Sequence, residues 1–219
     1  MSELGVCSKL KELDDKAKEV GDKLLTFYGW QWDVLPDVYA SIALLVLKND
    51  KLSYALKEKF SVVHRALARL LHHAYETWLE CSYITEVPHL CLIDLKCDIN
   101  GKLGVASDKA IDELGDELDN LEEATKMCDY HLKESVEEAR IILRAFDKIL
   151  ANPIILDSKM LDIVNDVYDW VSLAYADAEY LTKAIHNAYK MVKEGLATIK
   201  SELEKLIKPA KDEKKEGGK

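Results

Sequence analysis

The chain has 219 residues, is 48% hydrophobic and 32% charged, and carries a net charge of −10. That balance calls for a buried core under a charged surface, and four prolines with nine glycines argue against an all-β protein. The most apolar run, Val38 to Leu47, is ten residues long against the roughly 20 a membrane span needs, so it reads as a core helix and no span is expected.

The N-terminus, MSELGVCSKLKELDDKAKEV, is charged and lacks the apolar centre of a signal peptide. Leu10, Leu13, Ala17, Val20, Leu24 and Phe27 step by three and four, which predicts a helix over about 3–28. The segment GWQWDVLP interrupts it, and Pro36 suits the first turn of a second helix over about 36–48. Trp30 and Trp32 bracket that interruption and are candidates for a partner-binding patch.

A third helix is predicted over about 51–80, with Leu56, Val63, Leu67, Leu70 and Ala74 on one side. Its polar side carries Arg65, His72, His73, Glu76 and Glu80. His72, Glu76 and Glu80 lie at i, i+4 and i+8 and share a face, which could hold a divalent cation. Arg65 and His72, in RALARLLH, fall within the Arg-x(4–6)-His spacing of the HEPN ribonucleases, which are helical bundles. That resemblance would give the arginine a charge-stabilising role and the histidine an acid–base role in RNA cleavage. It covers these two residues, and the polar residue that usually follows the arginine is Ala66 here.

Residues 82–106 read as a connector. Cys91, Ile93, Leu95, Cys97 and Ile99 alternate, Asn100-Gly101 is a hairpin turn signal, and Leu103 and Val105 lie on the return. A small β-hairpin near 89–105 is therefore predicted. Glu86-Val87-Pro88-His89 has the Glu-x-x-His spacing of a di-metal bundle, but its proline argues against the helix that motif needs. Cys81, His89, Cys91 and Cys97 are four candidate zinc ligands; the gap between Cys91 and Cys97 is longer than the Cys-x(2–4)-Cys of structural sites. With five cysteines and no secretion signal, free thiols in a reducing, cytoplasmic setting are expected.

From Ile111 to Ile149 apolar and small residues step by three and four without a slip. The same holds from Leu161 to Leu206, with Tyr168, Tyr175 and Tyr189 on the seam. These runs predict helices over about 108–151 and 158–207, on the order of 60–75 Å each, turning at Asn152-Pro153. Residues 107–138 hold twelve acids against three lysines, a face that repels phosphate backbones. The tail, 208–219, has no apolar residue after Ala210 and is expected to be disordered.

The predicted fold is all-α, an elongated up-and-down bundle with a long antiparallel coiled-coil hairpin, integrated from an N-terminal part (1–81), the connector (82–106) and the hairpin (107–207). Phosphate loops and nucleophile motifs are absent from the sequence, so no cofactor and no catalytic residue is assigned. The expected function is a non-enzymatic interaction, scaffold or assembly protein that meets a protein partner or a second copy through helical faces. The alternatives are a HEPN-like nuclease or other hydrolase using Arg65 and His72, or a divalent-metal-binding bundle. A single glutamine beside abundant lysine and glutamate gives the chain a thermophile-like composition, compatible with an archaeal or viral source.

Overall fold

A computed structural model describes residues 3–48, 52–98, 102–104, 107–151 and 156–216. Among the described residues there are four long helices: α1 (Glu3–Lys48), α2 (Tyr54–Asp94), α3 (Asp108–Leu150) and α4 (Ser158–Glu216). Among the described residues there is no strand, so the all-α expectation holds. No helix there is long and apolar enough to cross a membrane.

Short polar side chains start three of the helices. The Leu56 amide donates to Ser53 Oγ at 3.3 Å, the Ala110 amide to Ser107 Oγ at 3.3 Å, and the Met160 amide to Asp157 Oδ1 at 2.9 Å. Each supplies an acceptor to a first-turn N–H that has no partner inside the helix.

Three expectations need correction. The two helices expected over 3–28 and 36–48 are one, and Pro36 lies inside α1. Proline in a helix interior costs about 3 kcal/mol; burial of Leu35, Val38, Ile42 and Leu45 on the continuing face offsets it. The third helix does not stop near residue 80. It runs to Asp94 through Pro88, so Glu86 and His89 are on a helix after all.

The described residues of 89–105 do not form the expected β-hairpin either. Cys81, Ile84, Val87, Cys91 and Leu95 are buried while Ile93 is 58% exposed. Helical spacing, and not alternation, therefore sorts this stretch into inside and outside. The helix ends on paired bonds from the Cys97 amide to the Leu92 carbonyl (3.1 Å) and from the Lys96 amide to the Ile93 carbonyl (2.9 Å). Lys96 takes the left-handed conformation, φ 49°, that this termination requires. The following chain returns across Lys96: the Gly104 amide donates to the Leu95 carbonyl at 3.2 Å. A Cβ at Gly104 would sit 2.8 Å from the Lys96 carbonyl oxygen, so only glycine fits. Asn100-Gly101 and Val105 lie outside the described residues.

The chain divides into two compact units. Unit 1 comprises 1–23, 80–127 and 184–219; unit 2 comprises 24–79 and 128–183. In unit 1, α1 meets α2 (His89 Nδ1 to Asp14 Oδ2, 3.4 Å) and α4 (Lys9 to Glu202). α3 meets α2 (Tyr83 to Glu117) and α4 (Lys193 Nζ to Glu122 Oε2, 3.2 Å). Every pairing is antiparallel, the up-down-up-down order of a four-helix bundle. Gly195 lets α4 come close to α1: a Cβ there would lie 2.7 Å from Leu13 Cδ2. Cys7 and Cys97 form a disulfide in this unit.

Unit 2 has its own core. Leu35 to Leu45 of α1, Leu56 to Leu70 of α2, Ala139 to Ile149 of α3 and Met160 to Val171 of α4 all contribute, with Phe60 and Phe146 fully buried. The α4 stripe is shifted from the predicted seam. Val164, Val171, Ala178 and Ile185 are buried as expected, but Val167, Ala174, Leu181 and Ala188 complete the stripe. Tyr168, Tyr175 and Tyr189 are half-buried beside it. Their hydroxyls explain the shift, because a phenol seeks a polar partner: Tyr175 Oη donates to Glu179 Oε1 at 2.6 Å, and Tyr189 Oη accepts from Lys193 Nζ at 2.9 Å.

Helical backbone in α4 extends to Glu216, beyond the predicted end at 207 and into the stretch whose composition suggests disorder. Lys, Glu and Ala are good helix formers. Side chains from 208 onward lie outside the described residues.

Candidate functional site

The densest group of buried polar side chains lies between α2 and α3 in unit 2. Arg69 and His73 are one turn apart on α2, and His131, Ser135 and Glu138 share a face of α3. His73, His131, Ser135 and Glu138 are all buried. Arg69 grips Glu138 with two parallel bonds, Nε to Oε1 and Nη2 to Oε2, the latter 2.8 Å. This fork-on-fork pairing raises the arginine's pKa.

His73 Nδ1 lies 3.0 Å from His131 Nδ1. The ring centroids are 5.3 Å apart, so the two rings point at each other nearly head-on. A neutral pair then has one ring donating Nδ1–H and the other accepting. Burial holds the His73 pKa below the ordinary histidine value, and His131 and His72 lower it further. His72 stands at the edge, exposed, with its ring 5.1 Å from His73 and 6.0 Å from His131. Tyr130 packs edge-on to both buried rings.

The sequence-predicted sites fare differently. Of the HEPN-like pair, His72 joins this cluster, while the arginine bonded within it is Arg69 and Arg65 is exposed. His72 Nδ1 is 3.8 Å from Glu76 Oε1, a loose surface ion pair, and Glu80 is half-buried. For Cys81, His89, Cys91 and Cys97 the disulfides decide. Cys97 is bonded to Cys7 and Cys81 is also disulfide-bonded, as is Cys128. A metal needs thiolates, and the one free thiol, Cys91, is buried and pushed up to about 12 by that burial, then by Glu117 and Asp94. The expectation of free thiols thus fails for four cysteines. Among the described residues no group of three or more His, Cys, Asp or Glu is arranged to hold a metal. The head-on histidine pair agrees, since a cis chelate needs both lone pairs turned toward one side. The side chains of Trp30 and Trp32 lie outside the described residues.

A second feature sits where α1 ends and α4 begins. Ser41, Leu44, Leu45, Met160 and Ile163, with Asp157 and Lys159, line a groove of about 350 Å³ in unit 2. Leu44 is 50% exposed, Leu47 78% and Tyr54 85%. Another groove of unit 2, about 550 Å³, is lined by Lys133, Arg140, Lys183 and three glutamates. Its charges are of both signs and nothing apolar but Val136 enters it. No family model, curated protein or solved structure matches the chain.

The histidine pair and the apolar end were missed from sequence for different reasons. Arg69/His73 at i, i+4 and His131/Ser135/Glu138 at i, i+4, i+7 are a legible polar stripe, but only tertiary packing shows that the two stripes face each other. The exposure of Leu44 and Leu47 was hidden because VYASIALLVL is apolar on every side.

Proposed function

We propose that this chain is a non-enzymatic interaction or assembly protein, and that a second copy of itself docks on the apolar end of unit 2. The observation that carries this is that projecting apolar side chains, Leu47 at the end of α1 and Tyr54 at the start of α2, accompany a largely apolar groove that Leu44 lines. Exposed large apolar side chains gathered at one end of a unit support an interaction surface. A two-fold interface must be self-complementary. Charge supports this reading: the groove bears one acid, Asp157, and one base, Lys159, which two copies facing each other could pair. Burying Leu44 and Leu47 would contribute about 1.5–3 kcal/mol for each fully covered side chain.

The test is sedimentation velocity of the full chain and of a Leu44→Asp/Leu47→Asp variant. Wild type is expected to gain mass with concentration and the variant to remain monomeric with unchanged helical CD. A wild-type chain that stays monomeric throughout, or a variant that associates equally well, overturns the proposal.

A further inference from the structure

We propose that the His73–His131 pair is a proton-operated latch on the packing of α2 against α3 in unit 2. The pair is buried, head-on and 3.0 Å apart, and that geometry is open only to particular protonation states. A neutral pair is held by one Nδ1–H···Nδ1 bond. A first added proton can enter at the donor ring's Nε2 and leave that bond intact, though it places a charge where water is scarce. A second proton must go to the accepting Nδ1. Two N–H groups then face each other, with two positive rings in contact, and the rings must part.

For His73 the neighbouring carboxylates do not outweigh burial and the neighbouring rings. From α2 the nearby groups are Arg69, His72 and Glu76; from α3 they are Tyr130, Glu134 and Glu138. No group of α1 or α4 enters the set that acts on His73. Glu138 is already engaged by Arg69, and His72 would add a like charge. Glu134 and, though so engaged, Glu138 favour a charged His73. Ser135, one turn from His131, has a buried hydroxyl with no hydrogen-bond partner, so opening here would also let water reach a group now deprived of it.

The direction follows from linkage. His73 in the folded chain titrates below its unfolded value of about 6.5, so the folded state binds fewer protons in that window. Stability is therefore complete above the unfolded pKa, falls as pH drops below it, and levels off below the folded pKa. The response lies in mildly acidic solution, where carboxylates remain ionised.

The experiment is hydrogen exchange of the full chain at pH 7.5 and 5.0, corrected for intrinsic rates, with wild type and a His73→Leu/His131→Leu variant. Wild type is expected to lose protection at pH 5.0 by tenfold or more in peptides covering 66–79 and 128–138. The variant, with no proton to accept at either position, is expected to keep its protection. Equal protection at both pH values in wild type, or an equal loss in the variant, overturns the proposal. Should the variant not fold, the imidazole nitrogen shifts of wild type decide. One buried ring still neutral when exposed His72 has titrated supports the latch; both buried rings titrating with or above His72 overturns it.

Discussion

Replacing Cys7 and Cys97 with alanine removes a bridge that spans 90 residues of sequence. The chain-entropy relation puts its effect at about 4.5 kcal/mol, since the unfolded chain regains the freedom of a long loop. Against a typical total of about 5–15 kcal/mol, that is a large share. Alanine is the suitable replacement, because Cys7 is buried and a serine hydroxyl there would add its own desolvation cost. With a urea m-value near ~3 kcal/mol/M, the midpoint should fall by roughly 1.5 M. The transition must be followed by backbone CD, because all four tryptophans (30, 32, 78 and 170) belong to unit 2 and the bridge to unit 1. Measuring the alanine variant avoids a reductant, which would open the bonds at Cys81 and Cys128 as well. A midpoint lowered by less than about 0.3 M, at unchanged m, would refute the reasoning and mean that the unfolded chain is confined without the bridge.

Three further outcomes are expected. Arg69→Met leaves Glu138 buried and without its fork; with the arginine half exposed, this should cost about 1–3 kcal/mol by urea unfolding; an Arg69→Met/Glu138→Leu double variant should recover most of it, and a neutral single variant would contradict the assignment. Gly195→Ala places a Cβ 2.7 Å from Leu13 Cδ2 and should cost about 1–3 kcal/mol by overpacking, partly relieved when Leu13 is also made alanine; additive losses would show that the two do not meet. Cys91, buried and with a thiol pushed up to about 12, should resist iodoacetamide at pH 8 in the folded chain and react after denaturation. Rapid labelling without denaturant would place it nearer the surface than the fold allows.

The long periodic runs were legible from residues alone. The steps through 111–149 and 161–206 put α3 and α4 in place with starts that Ser107 and Asp157 confirm as caps. Local breaker rules failed at Pro36 and Pro88. Each lies in a helix whose flanking turns bury large apolar side chains, and that tertiary gain outweighs a local penalty. The stretch from Cys81 to Gly104 failed for a related reason. Cys91 and Leu95 satisfy a period of two and a helical period at once, and the choice rests on Cys81, Ile84 and Val87 upstream. The disulfides could not be read at all, since pairing of Cys7 with Cys97 depends on which helix ends meet. The tyrosines of α4 show the finer limit: heptad counting located the stripe, and hydroxyl chemistry moved them to its flank.

The central claim is that a second copy covers the apolar end of unit 2. Hydrogen exchange measured across protein concentration tests it most directly. The account expects exchange to slow with concentration in peptides covering 41–48, 52–56 and 156–163, and nowhere else in unit 2. Exchange there that does not depend on concentration, or protection that appears on another face, would contradict it.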